Sequence, residues 1–490
     1  MIQLLVLLPC PLLVAIVALF VRRIPILTRF AAVVLWIQAV VVLRFWGPVL
    51  ESPTSPSTIH VIRGFSIDSM AGFFILLTTL VVAAALTHAV GYFAREADAP
   101  HPPSARHIAQ LYVFIPLFLV AMYSVVAADN LGYLWIGMEA TTLLSAPLVY
   151  FHRSRTALEA TWKYVIVCSV GIAFGFLGTA MLYAGSQQSG VLADGSLSLT
   201  ILEHHARQLP PGLVRLGYVF ILLGYGTKAG LFPLHNWLPD AHSEAPAPAS
   251  AILSGALLNC ALVALWRVSH LVELAGQGIL VRETLLPMAC ATVIAAGLFL
   301  LRQHDFKRLL AYSSMENVGL IAGAIGMGSG SGFVLQALNH SLIKVALFLL
   351  AGNLLQQYGT MKIREIRGLL LAQPAQGLLL FLLVAAVAGT PPFGSFLSEW
   401  QILSTAADAR YAAVAVAIVV ALALAFIALA LQSAEILFGT PSTSTTPMDT
   451  SAIKVRASLA LVPWTLLAVS LGLGLALSPH LLALAGGVAR

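Results

Sequence analysis

Apolar runs long enough to cross a membrane recur along the whole chain, and charged residues fall mainly between them. Stretches of about 18 or more apolar residues are typical of transmembrane helices, and the period-two alternation of barrel strands is absent. The pattern predicts an all-α polytopic membrane protein with about fourteen transmembrane helices. The predicted spans cover roughly 2–21, 30–50, 66–93, 108–128, 130–151, 162–184, 214–233, 247–268, 280–301, 309–327, 332–357, 376–397, 411–438 and 458–485.

The seventh predicted span is interrupted. Within 216–247, Lys228 falls near the middle of an apolar run and has Gly226, Gly230 and Pro233 within two turns of it. A lysine at membrane depth is costly and is usually functional. Gly and Pro beside it favour a helix break, which is tolerated where the freed backbone faces protein or water. We therefore predict a functional lysine at a break.

The twelfth predicted span contains a similar interruption. The segments GTKAGLFPLHNW (226–237) and GTPPFGSFLSEW (389–400) both open with Gly-Thr and both place Trp eleven residues later. Two broken helices at matching places in two halves are the pattern of transporters built from inverted repeats, in which the transport path lies near the middle of the membrane.

Further ionisable residues lie inside or at the ends of predicted spans. Glu139 is in the middle of the fifth span, Glu399 closes the twelfth, and His340 and Lys344 share one face of the eleventh. Intramembrane charges of this kind mark proton relays. A Glu139–Lys228 pair that forms and separates would load and release a proton. A helix–helix hydrogen bond for Glu139 and an interfacial position for Glu399 stay open as alternatives.

Glu159 and Lys163 are one helical turn apart near the start of the sixth span. A relay role and a plain interfacial salt bridge are both open for this pair.

Composition supports the membrane class and excludes several others. Hydrophobic residues make up 59% of the chain, charged residues 9%, and the mean hydropathy is +0.92, whereas soluble domains carry about 25% charged residues. The net charge of +6 does not indicate nucleic-acid binding, because the basic residues lie in short loops. The four cysteines form no CxxC motif, so a metal or cofactor in this chain has no sequence support.

The loop charges predict the orientation. Odd-numbered loops carry 15 of the 26 Lys and Arg residues, the opposite side carries 8, and 3 lie within or at the edge of spans. Because short cytoplasmic loops are enriched in Lys and Arg, both termini are predicted to lie on the non-cytoplasmic side of the cell's inner membrane.

Several stretches together resemble one known superfamily. The sequences GMEATTLLSA, GYGTKAGLFPLHNWLPDAHSEAPAPASAILSG, HDFKRLLAYSSMENVGL, LNHSLIKVALFLLAGN and GTPPFGSFLSEWQIL lie between about 130 and 405. They resemble the antiporter-like proton-pumping membrane subunits of respiratory complex I and of Mrp antiporters. Within that superfamily the chain is most similar to component F of hydrogenase-4.

The resemblance implies an architecture and a set of site residues. It implies two inverted five-helix repeats with helices 7 and 12 broken. It places N-terminal helices in 1–107, the repeats in 108–269 and 280–438, and a last helix in 458–490. It also implies a proton relay. The relay positions carried over are Glu139, Lys228, His340, Lys344 and Glu399.

One position departs from many relatives. Where they carry a lysine or histidine in the eighth span, bridging the halves, this chain has Ser254 and Asn259 at the candidate positions. Neither side chain titrates. The central relay would need water held by these two residues, or a different route.

The resemblance implies a proton-translocating subunit of a redox-driven, hydrogenase-4 or complex I-like oxidoreductase complex. Partner subunits, including a peripheral redox arm, would carry the iron–sulfur and nickel–iron or flavin cofactors. Two alternatives stay open: an Mrp-like secondary cation/proton antiporter, in which sodium could be the coupling cation, and a passive membrane scaffold for a soluble module.

Overall fold

The structure is a computed structural model, and it describes residues 7–51, 59–62, 64–97, 102–190, 195–440, 457–476 and 485–488. These residues are mostly helical. Nine helices in this described part are long and apolar enough to cross a membrane. The predicted helical membrane class is therefore confirmed, with one short β-hairpin besides the helices, whereas the count of fourteen spans and the two inverted repeats stay predictions.

The first half of the chain reaches from the N-terminal helices to the short helix that follows the first helix break. Its helices are α1 (Pro9–Phe20), α2 (Ile24–Glu51), α3 (Ser69–Glu96), α4 (Ala105–Val126), α5 (Leu131–Val149), α6 (Arg155–Gln188), α7 (Leu199–His204), α8 (Pro211–Ala229) and α9 (Trp237–Glu244). Strands β1 (Ile59–Ile62) and β2 (Phe65–Ile67) form an antiparallel hairpin between α2 and α3. Short 3-10 turns cover Tyr150–His152 and Ala206–Gln208.

The second half continues directly from the end of α9. Its helices are α10 (Ala247–Ile252), α11 (Leu258–Val272), α12 (Gly278–Leu300), α13 (Phe306–Gly326), α14 (Gly330–Tyr358), α15 (Leu369–Ala372), α16 (Pro374–Val387), α17 (Gly394–Ala406), α18 (Ala412–Phe438) and α19 (Ala457–Leu475). The π-helical segments Leu253–Leu257 and Glu273–Gln277 join α10 to α11 and α11 to α12, and 3-10 turns cover Ile363–Glu365 and Ala409–Tyr411.

The helices begin where polar loop residues can cap them. Asp68, Asn130, Ser154 and Asp305 each accept a backbone N–H in the first turn of α3, α5, α6 and α13. Such a cap satisfies a donor that has no partner within the helix and typically contributes about 1 kcal/mol. The loop residues therefore fix where these membrane segments start.

The predicted spans and the helices coincide closely in the described part of the chain. The eighth and ninth predicted spans lie in one continuous stretch from Ala247 to Leu300, which turns at Gly276 with φ 77°. The outer parts of the first and last predicted spans, 2–21 and 458–485, include residues outside those that the structure describes.

Both predicted interruptions are present. Helix α8 ends at Ala229, followed by Gly230 with φ 84°, and α16 ends at Val387, shortly before Gly389 with φ 66°. The two Trp residues that share this eleven-residue spacing have different environments in the structure. Trp237 is buried, whereas Trp400 is 62% exposed.

Close packing of α6 against α8 brings the first break towards the middle of the first half. A Cβ on Gly224 would lie 2.7 Å from the backbone nitrogen of Gly175, and one on Gly178 would lie 2.4 Å from the carbonyl oxygen of Gly217. Small residues let membrane helices approach at backbone distance. The end of α8, with Lys228, is thereby held against α6.

A polar cluster lies at the start of α5, on the face of the even-numbered loops. Asp129 accepts hydrogen bonds from the Ser198 and Thr200 hydroxyls, and Arg267 forms an ion pair with Asp68 at 2.9 Å. Beside them, burial raises the pKa of Glu203 from 4.5 to about 7; Arg267 opposes the shift and the two aspartates add to it.

Glu203→Gln should remove a pH dependence of stability. Because the pKa of Glu203 is higher in the folded chain than in the unfolded chain, protonation of this carboxyl stabilises the fold. Its contribution to the free energy of unfolding is complete below about pH 4.5 and is lost as the pH rises through about 7. We expect the substitution to raise the melting temperature by about 2–4 °C at pH 8 and to leave it unchanged at pH 4.5. Thermal unfolding of the detergent-solubilised chain measures this. Glu283→Gln, on an exposed carboxylate, is the control, and equal shifts in both variants would contradict the prediction.

Candidate proton-translocation site

Lys228 is completely buried one residue before the end of α8. Its Nζ donates hydrogen bonds to Tyr164 Oη at 2.7 Å and to Thr142 Oγ1 at 2.8 Å. It also lies 4.8 Å from the centroid of the Tyr164 ring. An ammonium solvated by neutral hydroxyls and an aromatic face has no counter-ion in contact, so the charge is costly and the proton is available for transfer.

The backbone around the break is held by long-range side-chain contacts. The Trp237 indole donates to the Thr227 carbonyl at 2.8 Å, and the Phe232 N–H donates to Thr292 Oγ1 at 2.9 Å. Helix breaks inside a membrane persist when such partners satisfy the freed groups. The break is therefore a defined structure that positions Lys228.

Glu139 lies on α5 close to Lys228 but not in contact with it. One carboxylate oxygen accepts a hydrogen bond from the Ser169 hydroxyl at 2.7 Å, and the other is buried and has no hydrogen-bond partner in the described part of the chain. Among the described residues, Glu139 and Lys228 form no ion pair within 4.0 Å, although the carboxylate acts electrostatically on the lysine. The structure thus has the two groups separated.

Hydroxyl residues that the sequence analysis did not single out complete this cluster. Tyr164 Oη lies 2.6 Å from Ser145 Oγ, so Lys228, Tyr164 and Ser145 form a continuous chain of hydrogen-bonding groups. Helical spacing could have identified the hydroxyl residues of α5 from the sequence. Glu139, Thr142 and Ser145 follow each other at intervals of three residues and so share one face of α5.

A second buried cluster lies between α13 and α14. Lys344 is completely buried and donates to the Leu310 carbonyl at 3.2 Å. Glu316 is also buried, has one carboxylate oxygen without a partner among the described residues, and acts electrostatically on Lys344. The structure adds Glu316 to the relay candidates.

His340 lies one turn from Lys344 on the same face of α14. It is buried, and neither ring nitrogen has a hydrogen-bond partner in the part of the chain that the structure describes. Nearby, Gln336 donates to Asn317 Oδ1 at 2.8 Å. The face of α14 that carries His340 and Lys344 therefore lies in the protein interior, as a proton path requires.

Glu399 approaches the second break directly. A Cβ on Gly389 would lie 2.0 Å from Glu399 Oε2, so the carboxylate occupies the space that the glycine leaves open. Glu399 is 8% exposed, and Glu316 acts on it electrostatically. The second break therefore places an acidic group, where the first places a lysine.

Glu159 and Lys163 lie outside these buried clusters. Lys163 is 48% exposed and forms ion pairs with Glu159 at 2.6 Å and with Asp240 of α9 at 3.2 Å. Asp240 also pairs with Arg308. Exposed ion pairs contribute little to stability, about 0–1 kcal/mol. This arrangement favours the interfacial salt bridge over the relay role.

Ser254 and Asn259 join the eighth span to the second half. Ser254 Oγ lies 2.9 Å from Ser314 Oγ, and the Asn259 side chain donates to Ser341 Oγ at 2.8 Å. Both are buried, and Ser254 lies within a π-helical segment. Interhelical hydrogen bonds of this kind hold membrane helices together. The two residues thus connect the eighth predicted span to α13 and α14 without supplying a titratable group.

The arrangement of buried ionisable and hydroxyl groups is suited to moving protons. Buried acids, lysines and a histidine occur in both halves, next to helix breaks and hydroxyls. Within the described residues, no group of three or more His, Cys, Asp or Glu side chains is placed to hold a metal ion. Chains of Asp, Glu, Lys and His groups inside membranes conduct protons in pumps and transporters.

Comparisons with known proteins agree with the resemblance read from the sequence. The family described as "NADH:quinone oxidoreductase/Mrp antiporter, TM" matches residues 128–425. The hydrogenase-4 component F homolog of Methylacidiphilum infernorum is 37% identical over 403 residues, which cover 81% of this chain and 84% of that protein. The NADH-quinone oxidoreductase subunit N of Desulforudis audaxviator is 30% identical over 345 residues.

The match to the second relative covers 69% of this chain and 65% of that protein, so the chain spans slightly less than two thirds of its length. Among solved structures, a chain of the membrane-bound sulfane sulfur reductase, described as an archaeal respiratory membrane complex, has a TM-score of 0.84. The two chains are 24% identical over 99% of this chain and 96% of that one. At this identity the likeness concerns the fold.

Proposed function

Because the chain belongs to the NADH:quinone oxidoreductase/Mrp antiporter transmembrane family, we propose that it is a proton-translocating membrane subunit of a redox-driven complex. The complex would be of the hydrogenase-4 or complex I-like kind. The observation that carries the proposal is Lys228, which is fully buried at a helix break and donates hydrogen bonds to the hydroxyls of Tyr164 and Thr142. A buried charge without a contacting counter-ion is maintained where it has a function.

The proposed relay uses one cluster in each half. Approach of Glu139 stabilises the Lys228 ammonium, and its withdrawal to Ser169 favours release of the proton. Lys344 with Glu316 forms the corresponding pair in the second half, and His340 and Glu399 continue the path. A conformational or electrostatic signal from a neighbouring subunit drives the separation of the pairs.

The finer architecture belongs to the same proposal. Fourteen spans would form two inverted five-helix repeats, spans four to eight and nine to thirteen, within the segment boundaries given above. Both termini would lie on the non-cytoplasmic side, as the excess of basic residues in the odd-numbered loops indicates.

Redox chemistry would take place in partner subunits. We propose that neighbouring membrane subunits and a peripheral arm, which carries iron–sulfur and nickel–iron or flavin groups, complete the complex. The relatives' names and the solved respiratory complex support this assignment.

Glu139→Gln tests the proposal. The substitution keeps the hydrogen bond from Ser169 and removes the charge that acts on Lys228. We expect proton translocation to fall about tenfold, which corresponds to about 1.4 kcal/mol, and electron transfer to be largely retained. The measurement is dye-reported acidification of proteoliposomes containing the complex that purifies with the tagged full chain, energised with its electron donor. Glu283→Gln is the matched control.

Two other outcomes would assign different functions. Sodium-dependent proton exchange without any electron donor would identify a secondary cation/proton antiporter. Unchanged proton flux in Glu139→Gln would favour a passive scaffold that anchors a soluble module, the interpretation that Ser254 and Asn259 support because they interrupt the titratable groups between the halves.

A further inference from the structure

His242 is a buried histidine that the relay described above does not use. It lies on α9, the short helix that follows the first break, and is completely buried. Neither ring nitrogen makes a hydrogen bond of good geometry among the described residues, although the Ser250 backbone lies close enough to act on the ring. Buried polar atoms are nearly always paired, so a buried imidazole without a well-formed hydrogen bond requires an explanation.

Helix α9 lies between the two halves of the chain. It packs against α6 of the first half and α13 of the second. The His242 ring stacks on Phe348 of α14, with ring centroids 4.9 Å apart and planes inclined by 19°. Phe348 is one turn from Lys344 on α14, and the charge of Lys344 acts on His242. His242 is therefore placed at the end of the polar face that contains His340 and Lys344.

The opposite side of α9 borders a pocket of about 210 Å³. Asp240 and Glu244 line it, each two residues from His242 and therefore on the other side of the helix. The pocket lies beside the odd-numbered loops, the predicted cytoplasmic face. Its remaining polar and charged lining residues include Thr156, Glu159, Lys163, Ser243 and Arg308.

The C-terminal end of α9 connects the pocket with the interior. Lys307 of α13 is buried there, and its Nζ donates to the Ala245 carbonyl at 2.7 Å and to the Ser243 carbonyl at 3.4 Å. Ser243 also lines the pocket. Lys307 therefore contacts the backbone of a residue that lines the pocket, and its charge also acts on His242.

We propose that His242 transfers protons between this pocket and Lys344, so that the second half of the chain has a proton entry of its own. The imidazole accepts a proton at one ring nitrogen and releases one from the other, directly or through water, and returns to its neutral form. This inference rests on the proposed proton-translocating function. It explains how the second cluster is supplied although Ser254 and Asn259 cannot titrate.

The test exchanges the two stacked rings. His242→Phe keeps the aromatic stack on Phe348 and removes the titratable group, so proton translocation by the reconstituted complex should fall about tenfold at unchanged electron transfer. The double variant His242→Phe/Phe348→His returns an imidazole to the same contact, one turn from Lys344, and should recover at least about half of the lost translocation. His242→Gln, which has a smaller side chain, is measured beside it in case phenylalanine disturbs assembly.

His235→Phe is the matched control. This buried histidine stacks between Phe232 and Phe299, with centroids 5.5 Å away on each side, outside the contact between α9 and α14. Wild-type translocation in His242→Phe or His242→Gln, or a ring exchange as impaired as the single variant, would overturn the inference. Lys228→Ala in the same preparation separates the two claims. If it translocates normally, the proposed function fails; if it is inactive while the His242 variants are normal, only the second entry fails.

Discussion

Lys228→Ala is expected to abolish coupled proton translocation while electron transfer in the complex largely continues. The substitution removes the ammonium group of the first cluster, and single proton-transferring side chains contribute about 10²–10⁴-fold in rate. We therefore expect a loss of at least about a hundredfold. Dye-reported acidification of proteoliposomes, measured together with electron transfer, gives both quantities.

The structure also predicts that this variant assembles. After the substitution Tyr164 still has Ser145 at 2.6 Å as a hydrogen-bond partner, and Glu139 still accepts the hydrogen bond from Ser169 at 2.7 Å. Lys228→Met fills a similar volume and should be equally inactive, which distinguishes loss of the charge from creation of a cavity. Lys362→Ala, at a loop side chain that is 72% exposed, is the control. Full pumping by Lys228→Ala or Lys228→Met would remove the basis of the proposed function.

Gly389→Ala should have the second-largest effect, because it acts on the second break and on Glu399 together. An alanine Cβ would lie 2.0 Å from Glu399 Oε2, a separation that the backbone and the carboxylate cannot keep. The carboxylate must move away from the break. We expect proton translocation to fall by more than about tenfold, since a misplacement of about 1 Å in a proton-transferring group can cost a hundredfold.

Gly359→Ala separates displacement of Glu399 from backbone strain. Gly359 has φ 69°, close to the 66° of Gly389, but a Cβ there would have no atom within 4 Å. Both variants pay the cost of a side chain at positive φ, of order 1–2 kcal/mol, so both should melt at a lower temperature. Only Gly389→Ala should lose translocation. Equal translocation by the two variants would show that the position of Glu399 at the break is unimportant.

The hydroxyl groups around Lys228 show why part of the site was not predicted. Tyr164 and Thr142 are 64 and 86 residues from Lys228 in the chain. Tyr164 meets it because glycines let α6 and α8 approach closely, and Thr142 meets it from α5. His242 was overlooked for a related reason. In the sequence it belongs to a polar loop-like stretch, and only the packing of α9 between α6 and α13 buries it.

For the polar residues of the eighth span, the sequence could not predict the hydrogen-bond partners. The resemblance to the superfamily marked Ser254 and Asn259 as the place where relatives have a titratable group, and the residue types show that neither side chain can titrate. It could not show their partners. These are Ser314 and Ser341, on helices of the second half, and the choice depends on how helices separated by 60 and 82 residues pack.

The sequence by itself determined the membrane class, the two helix breaks and several of the buried ionisable residues, among them Lys228, His340 and Lys344. Hydrophobic length, glycine and proline are local signals, and a charge within an apolar run is visible without knowledge of its neighbours. Only the tertiary structure decided that Glu139 and Lys228 lie apart, that Lys163 is at the surface, and that Trp237 is buried while Trp400 is exposed. These properties depend on which helix faces meet, and in a membrane that is set by close packing and interhelical hydrogen bonds rather than by hydrophobicity along the chain.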